Sequence, residues 1–355
     1  MTDADSLADL RRRLEAIDAD LLALAGERVR IGRAIGAAKR AAGLPTVDYA
    51  QERAVLERAR RAARGTALNA GVAEDLLVRL IRASVQAQEA DHVRHAAVGS
   101  GKTAVVVGGA GRMGGWFVRF LSDLGYDTAV LDPAAEAERD RARSVLPEAD
   151  LVLCATPPTS TAELYDEWTA APPRGVIVDI ASIKTPLLTA IGRLRAAGAR
   201  VASMHPMFGP STVLLRDADV VICETGDDHA RDVAEAMFAP TTARLVRLPL
   251  EEHDRVMADL LALAHAAAIS FAAALPAADH PVRSTTFQAL ESIAAAAVRE
   301  SPAVYFEIQA ANPHAPGAVA RLREALERLA DVVARDDRRG FAALMESGRE
   351  RTPGG

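Results

Sequence analysis

His205 is the residue of this sequence best suited to moving a proton. It begins the stretch HPMFGP, in which Pro206 follows at once and Pro210 closes a turn. Imidazole titrates near neutral pH, and proline restricts the backbone that presents it. A structural histidine is the alternative for such a residue taken alone. Its place after a strand favours a general base, and we predict that role for His205.

A glycine-rich turn predicts a dinucleotide site. The stretch GGAGRMGG follows a short β-branched run and precedes an amphipathic run, and the next predicted strand, DTAVLD, ends in Asp132. Glycines at this spacing let a pyrophosphate approach a helix N-terminus, and the acid binds the ribose hydroxyls. No arginine follows Asp132, which favours NAD over NADP. The predicted cofactor-binding residues are Gly109, Gly111, Arg112, Met113, Gly114, Asp132 and Thr156.

Several further apolar runs predict the rest of a parallel sheet. They are DLVLCA, GVIVDI, ARVASM, DVVICE and ARLVRL. Thr156, Ser182 and His205 each come just after one of them. The carboxyl ends of parallel strands share one edge, where ligands bind. We expect the three side chains to lie along this edge, with His205 beside the nicotinamide.

The first ninety residues predict long helices. Leucines and isoleucines recur at steps of three and four between Leu7 and Ile35, and Arg28 fills the single gap in the seam. A helix over 5–41 is about 55 Å long, more than so short a monomer can cover, so we expect an intertwined homodimer. A second helix is predicted from Asp48, with Gln51 in its cap, and a third over 72–90.

Polar residues on these helices predict a pocket for a small dianion. Lys39 lies about three turns beyond Arg28 and shares its face, while Ser84 and Gln88 interrupt the seam of the third helix. Arg11 is rotated away, so it would reach the pocket only from another helix or chain. The alternative is a seam arginine that extends to solvent.

Composition restricts the class of protein. Half of the residues are apolar, which is typical of a soluble globular protein. The net charge of −6 does not favour binding to nucleic acid or to an anionic membrane. Cys154 and Cys223 lie in apolar runs and indicate reduced thiols, with a disulfide as the minor alternative. The start MTDADS is not a signal peptide, so a cytoplasmic location is expected. Histidines and cysteines show no ligand spacing, so no metal is predicted.

The last hundred residues predict an all-helical segment. Its most membrane-like run, Leu260–Leu275, is diluted by alanine and carries His265 and Ser270. It falls short of the ~20 apolar residues that a span needs, so we predict a buried helix at an interface and no membrane partner.

The N-terminal segment resembles the helical chorismate mutase of bacterial bifunctional enzymes. LRRRLEAIDADLLALAGERV, GAAK and RASVQAQ carry the resemblance. It implies a pericyclic rearrangement of chorismate to prephenate, with Lys39 and Gln88 stabilising charge on the ether oxygen and Arg11 contributed across the dimer. The implied binding residues are Arg11, Arg28, Lys39, Asp48, Glu52, Ser84 and Gln88. The family usually has arginine before Glu52. Gln51 stands there, either as a simple cap residue or as a change in the site.

The remainder, from Thr103 to about Glu350, resembles the prephenate dehydrogenases through VDIASIK and HPMFGP. The resemblance implies that His205 takes the proton of the ring hydroxyl, that Ser182 orients either His205 or the substrate hydroxyl, and that Lys184 supports the loop. It also implies a helical dimerisation domain. His253 matches a family position, and packing or capping of an exposed helix start is its alternative role.

A second departure concerns a substrate carboxylate. The family usually has an arginine where this chain has Gln288, and Arg283 lies one turn upstream as a replacement. Two neutral glutamines, Gln51 and Gln288, would also suit the amino analogues of chorismate and prephenate. The alternative function is therefore the same two steps on 4-amino-4-deoxychorismate and 4-amino-4-deoxyprephenate, which would give 4-aminophenylpyruvate.

Together these patterns predict three domains and a linker. They are an all-α intertwined mutase domain at 1–92, a linker at 93–102, an α/β Rossmann domain at 103–249 and an all-α substrate and dimerisation domain at 250–350. The expected enzyme makes prephenate and then, with NAD, 4-hydroxyphenylpyruvate. Two rivals are an idle sensor of aromatic metabolites and an unrelated nicotinamide-dependent reductase with a helical extension.

Overall fold

The computed structural model describes residues 6–276 and 281–352. The chain divides into two compact units. The first comprises the chain up to Thr156 together with Ala170–Ile180 and Ala197–Arg247. The second comprises Pro157–Thr169, Ala181–Ala196 and the chain from Leu248 onwards.

Three long helices begin the first unit: α1 (Leu7–Ala41), α2 (Tyr49–Ala63) and α3 (Ala70–Ala96). The hydroxyl oxygen of Ser6 accepts a hydrogen bond from the backbone N–H of Asp9. The Asp9 carboxylate in turn accepts one from the backbone N–H of Ser6, so a capping box begins α1. The Asp48 side chain caps α2 as predicted, by accepting the backbone N–H of Gln51. The predicted helical N-terminal region is confirmed.

Helix α3 is longer than the sequence predicted. It continues to Ala96 because Val93 is buried in one apolar core with Trp116 and Tyr126. Residues 93–96, expected to belong to a linker, are therefore helical, and only 97–102 form the turn before the sheet.

A seven-stranded sheet follows in the first unit. Its strands are β1 (Thr103–Val107), β2 (Asp127–Leu131), β3 (Leu151–Cys154), β4 (Val176–Asp179), β5 (Arg200–Pro206), β6 (Asp219–Glu224) and β7 (Arg244–Pro249). The strand order is β2-β1-β3-β4-β5-β6-β7. The first five strands are parallel, but β6 is antiparallel to β5, which corrects the expectation of a parallel sheet throughout. The 207–218 connection contains no helix and cannot make the crossover that a parallel neighbour requires.

Helices complete both units. In chain order they are α4 (Arg112–Asp123), α5 (Glu136–Val145), α6 (Pro158–Trp168), α7 (Leu188–Ala196), α8 (Asp228–Phe238), α9 (His253–Met257), α10 (Ala264–Ala274), α11 (Thr285–Val298), α12 (Pro302–Ala310), α13 (Ala315–Ala334) and α14 (Arg338–Arg351). Helices α4, α5 and α8 belong to the first unit and the others to the second. The predicted fold class, a helical domain, a Rossmann-type sheet and a helical C-terminal region, is confirmed.

One helical stretch of the second unit is strongly apolar. Leu250–Ala274 is long and apolar enough, by length and composition alone, to cross a membrane. We expected a buried helix here, but only 17% of its most apolar window is buried within this chain. The stretch is therefore mostly exposed within the described chain, and its predicted burial at an interface with a second chain stays a prediction.

Candidate active sites

A cavity of about 420 Å³ lies among α1, α2 and α3. Seven of the residues predicted to bind the dianion line it: Arg28, Lys39, Asp48, Gln51, Glu52, Ser84 and Gln88. Apolar side chains, among them Ile31, Ile35 and Val85, complete its wall. Helical periodicity predicted the polar residues of α1 and α3 at this cavity, and the family resemblance predicted those at the start of α2.

The two cations of this cavity keep hydrogen-bonding capacity for an anion. Arg28 donates from Nη1 to the carbonyl of Leu80 at 2.7 Å and to Oγ of Ser84 at 3.0 Å. Lys39 donates from Nζ to the carbonyl of Thr46 at 3.0 Å. Burial lowers the pKa of Arg28, and no carboxylate of the described chain pairs with it. This geometry favours the pocket over an arginine that extends to solvent.

Two glycines of α1 that sequence reasoning missed bring this helix close to α3. A Cβ added at Gly32 would lie 2.9 Å from the Cβ of Ser84, and one added at Gly36 would lie 2.5 Å from the Cγ of Gln88. Gln88 is buried, and its Oε1 has no hydrogen-bond partner among the described residues. The spacing of small residues on one helix face was the signal that could have identified this contact.

Glu52 has a partner that its distance in sequence concealed. Arg216 donates two hydrogen bonds of 2.8 Å to its two carboxylate oxygens. The Arg216 guanidinium also lies 5.2 Å from the ring centre of Tyr49. Arg11 does not line the cavity within this chain. Its contribution across a dimer stays a prediction.

The second predicted site lies at the carboxyl edge of the sheet. Val107 is level with Leu131 and Cys154, and Cys154 is level with Asp179. The glycine turn, Asp132 and Thr156 therefore emerge at the same height. His205 lies within β5 rather than just after it, is only 5% exposed, and is level with Val221 of β6.

The glycine turn fits a pyrophosphate. Gly108, which sequence reasoning did not single out, has a φ of 79°, and a Cβ there would lie 2.8 Å from the carbonyl oxygen of Ala155. A Cβ at Gly109 would lie 2.8 Å from Cγ1 of Val130, and one at Gly114 would clash with the carbonyl of Gly108. Only glycines permit this close turn, which leads through Gly111, the N-cap of α4, into its first residues Arg112 and Met113.

Asp132 is held in place beyond the end of β2. Its Oδ2 accepts the backbone N–H of Ala110 at 3.2 Å, and its Oδ1 accepts that of Ala134 at 2.9 Å. Each oxygen retains a lone pair, so the carboxylate can also accept from two ribose hydroxyls. Thr156 lies at the switch between β1 and β3, where dinucleotides bind in this architecture.

Ser182, Lys184 and His253 belong to the second unit. Ser182 is half-buried and Lys184 is fully buried. His253 is completely buried, which corrects the expectation of an exposed helix start, and its Nδ1 lies 2.7 Å from Oδ1 of Asp254.

Asp254 fixes the loop that carries Lys184. Its carboxylate accepts the backbone N–H groups of Lys184 and Thr185 at 2.8 and 2.7 Å, and the Thr185 hydroxyl at 2.6 Å. Burial would raise the pKa of Asp254, but the hydrogen bonds from His253, Thr185 and Lys184 outweigh it and lower the pKa to about 2.

The two residues offered for a substrate carboxylate lie together in the second unit. Arg283 donates from Nη1 to Oε2 of Glu291 at 3.0 Å, and Gln288 donates to the Arg283 carbonyl at 3.5 Å. Arg283 is therefore already paired with an acid. It would have to exchange Glu291 for a substrate carboxylate.

Two segments of the chain match known protein families. Residues 10–89 match the chorismate mutase type II family, and residues 126–247 match the prephenate dehydrogenase nucleotide-binding domain. The T-protein of Enterobacter agglomerans is 30% identical over 286 residues, which are 81% of this chain and 74% of that protein. The chain belongs to the bifunctional chorismate mutase/prephenate dehydrogenase family. The predictions of an isomerase joined to an NAD-dependent oxidoreductase are thereby confirmed.

The chain is also similar to a second enzyme and to a solved structure. The 4-amino-4-deoxyprephenate dehydrogenase of Streptomyces pristinaespiralis is 32% identical over 264 residues, which are 68% of this chain and 88% of that protein. The crystal structure of prephenate dehydrogenase from A. aeolicus, in complex with hydroxyphenyl propionate and NAD+, superposes with a TM-score of 0.56 at 18% identity. It covers 71% of this chain and 98% of that one, which shows a shared fold.

Proposed function

We propose that the cavity among α1, α2 and α3 is the mutase site and that the carboxyl edge of the sheet is the dehydrogenase site. The observation that carries the first assignment is the convergence of seven predicted polar residues on one cavity. The second rests on the glycine turn, Asp132 and His205 at one edge of the sheet.

In the mutase site the chain acts by binding and by electrostatics. Chorismate rearranges without acid, base or cofactor, so the residues need only hold its reactive conformer. Arg28 and Lys39 carry the charges that bind the two carboxylates. Lys39 and Gln88 stabilise the charge that develops on the ether oxygen, and the close contact between Gly36 and Gln88 fixes the amide.

In the dehydrogenase site the chain positions a dinucleotide and removes a proton. The turn of Gly109, Gly111 and Gly114 admits the pyrophosphate, and Asp132 accepts the ribose hydroxyls, which selects NAD. NAD, when bound, supplies the hydride acceptor. His205 accepts the proton of the ring hydroxyl at its imidazole nitrogen. For Ser182, the role that the family resemblance implies, which is to orient His205 or the substrate hydroxyl, stays a prediction. Loss of the ring carboxylate as carbon dioxide leaves an aromatic ring and drives the reaction to 4-hydroxyphenylpyruvate.

The working form is proposed to be a homodimer. The apolar stripe of α1 is exposed in the single chain, where Leu7, Leu14 and Leu24 are 64%, 59% and 67% exposed. A second chain that covers this stripe would also bring its Arg11 to the cavity. The apolar helix Leu250–Ala274 is proposed to pack against a second chain rather than to enter a membrane, in a cytoplasmic enzyme.

A second candidate substrate series is the pair of 4-amino-4-deoxy analogues. Two observations favour it: the similarity to an enzyme named for 4-amino-4-deoxyprephenate, and the neutral side chains of Gln51 and Gln288. A cationic amine is repelled by arginine and tolerated by an amide. Comparison of NADH formation from equal concentrations of the two prephenates separates the two series.

Two variants test the assignment of the sites. His205→Asn should abolish the dehydrogenase and leave mutase activity, whereas Arg28→Ala should do the reverse. Both activities are measured on each purified variant, with circular dichroism to verify folding. A folded Arg28→Ala variant with full mutase activity would refute the cavity as the mutase site.

A further inference from the structure

An ion pair joins the mutase cavity to the part of the chain that carries the dehydrogenase fold. Arg216 donates to both carboxylate oxygens of Glu52 at 2.8 Å. The two side chains are only 14% and 18% exposed, so water screens the pair less than it screens a surface pair. The hydrogen bond to Glu52 also raises the pKa of Arg216, which therefore stays charged.

Two hydrogen bonds hold the backbone just before Arg216. The Glu89 carboxylate accepts the N–H of Leu215 at 2.9 Å and both the N–H and the hydroxyl of Thr242 at 2.6 Å. Nε1 of Trp116 donates to the carbonyl of Thr212 at 2.8 Å. Glu89 is buried and directly follows Gln88 of the cavity. Contacts from α3, through Glu89, and from α4, through Trp116, thus determine together where the Arg216 guanidinium lies.

The charges of the cavity show what Arg216 adds. Two cations, Arg28 and Lys39, and two carboxylates, Asp48 and Glu52, line it, so their charges sum to zero. The part of the wall that this chain supplies is therefore neutral, and the positive charge that attracts a dianion comes from Arg216 and from the Arg11 proposed to enter from a second chain. Arg216 behind Glu52 raises the sum to plus one and compensates the carboxylate that would repel the substrate.

We propose that Arg216 is a positioning residue of the mutase site, contributed by the dehydrogenase domain to hold Glu52 and to offset its charge. The proposal rests on the mutase site assigned above. Each Glu52 oxygen accepts one N–H from Arg216 and keeps a lone pair that can accept from a substrate hydroxyl. The two hydrogen bonds from the Arg216 guanidinium fix the orientation of the Glu52 carboxylate and so the direction of its free lone pairs. The mutase site is therefore incomplete without Arg216, which lies on the connection between β5 and β6.

Arg216→Ala in the full-length enzyme is the direct test. Mutase KM for chorismate should rise by about tenfold or more, which is the usual consequence of losing charge-assisted hydrogen bonds, while kcat changes by less than about threefold. Arg216→Lys keeps the positive charge but cannot make the paired hydrogen bonds of a guanidinium, so the mutase KM should rise by an intermediate factor. Arg244→Ala is the matched control, because Arg244 makes the same two-bond pair with Asp219 away from the cavity. Its mutase KM should equal that of the wild type.

A double variant distinguishes positioning from direct substrate contact. If Arg216 acts through Glu52, adding Arg216→Ala to Glu52→Gln should raise KM much less than it does in the wild type. An undiminished effect would overturn the positioning role. A folded Arg216→Ala enzyme with wild-type KM would overturn the proposal as a whole. If Arg216→Ala does not fold, unchanged KM in Arg216→Lys has the same meaning.

Arg28→Ala is measured in the same series to separate this proposal from the site assignment. Loss of mutase activity in Arg28→Ala with unchanged KM in Arg216→Ala would reject only the role of Arg216. Full mutase activity in both variants would reject the site itself.

Discussion

Gly36 of α1 lies directly against Gln88 of α3, so closely that a Cβ added to the glycine would be 2.5 Å from the Cγ of the glutamine. Gly32 bears the same relation to Ser84 one turn earlier. The two glycines therefore determine how far the amide and the hydroxyl project into the cavity. They contribute no functional group themselves, but they set the geometry of two that do.

Gly36→Ala should lower mutase activity and leave dehydrogenase activity unchanged. The added methyl group must displace Gln88 or separate the helices, and overpacking of this kind typically costs about 1–3 kcal/mol. Mutase kcat is the measurement. Gly26→Ala is the control on the same helix, because no atom lies within 4 Å of its added Cβ. Equal mutase kcat in both variants would show that the contact does not position Gln88.

Gly114→Ala should abolish NAD binding. Its Cβ would clash with the carbonyl oxygen of Gly108 and would deform the turn that admits the pyrophosphate. Isothermal titration with NAD measures the loss, and mutase activity serves as the check on folding. Gly192→Ala, where no atom lies within 4 Å of the added Cβ, should bind NAD as the wild type does. Unimpaired binding in Gly114→Ala would place the cofactor elsewhere.

Asp254 should make the second unit less stable to unfolding at low pH. Its pKa is about 2 in the folded chain, below the ordinary value of 3.8 for an aspartate, so the depressed pKa contributes stability above pH 4. That contribution, about 2 kcal/mol, is lost as the pH falls from about 4 through about 2. Urea unfolding of wild type and Asp254→Asn at several pH values measures it. The difference between the two proteins should shrink as the pH falls, and a constant difference would contradict the assigned hydrogen bonds.

Gln288→Arg should shift selectivity if Gln288 faces the substrate. A guanidinium would favour the carboxylate of prephenate and would repel the amine of its 4-amino-4-deoxy analogue. The ratio of kcat/KM for the two substrates should move towards prephenate by about tenfold or more. An unchanged ratio would remove Gln288 as a specificity residue and leave Arg283 to be tested in the same way.

The sequence was most informative where function depends on local spacing. Arg28, Lys39, Ser84 and Gln88 could be placed on one cavity because helical periodicity fixes their faces, and the glycine turn could be placed because only glycine tolerates its backbone. The contact of Glu52 with Arg216 could not be predicted, because it joins residues 164 positions apart.

Two other errors have equally physical origins. The direction of β6 depends on the lack of a crossover helix in a connection whose conformation no periodicity reveals. The burial of His253 depends on Asp254, which turns inward to bind the backbone of Lys184 and Thr185. Neither property belongs to a single segment of sequence.

Formation of NADH from chorismate and NAD by the purified protein would demonstrate both activities in one measurement. We expect NADH to appear after a lag in which prephenate accumulates, and we expect added prephenate to remove the lag. Formation of NADH from prephenate but not from chorismate would contradict the mutase assignment, and no NADH from either substrate would contradict the bifunctional account itself.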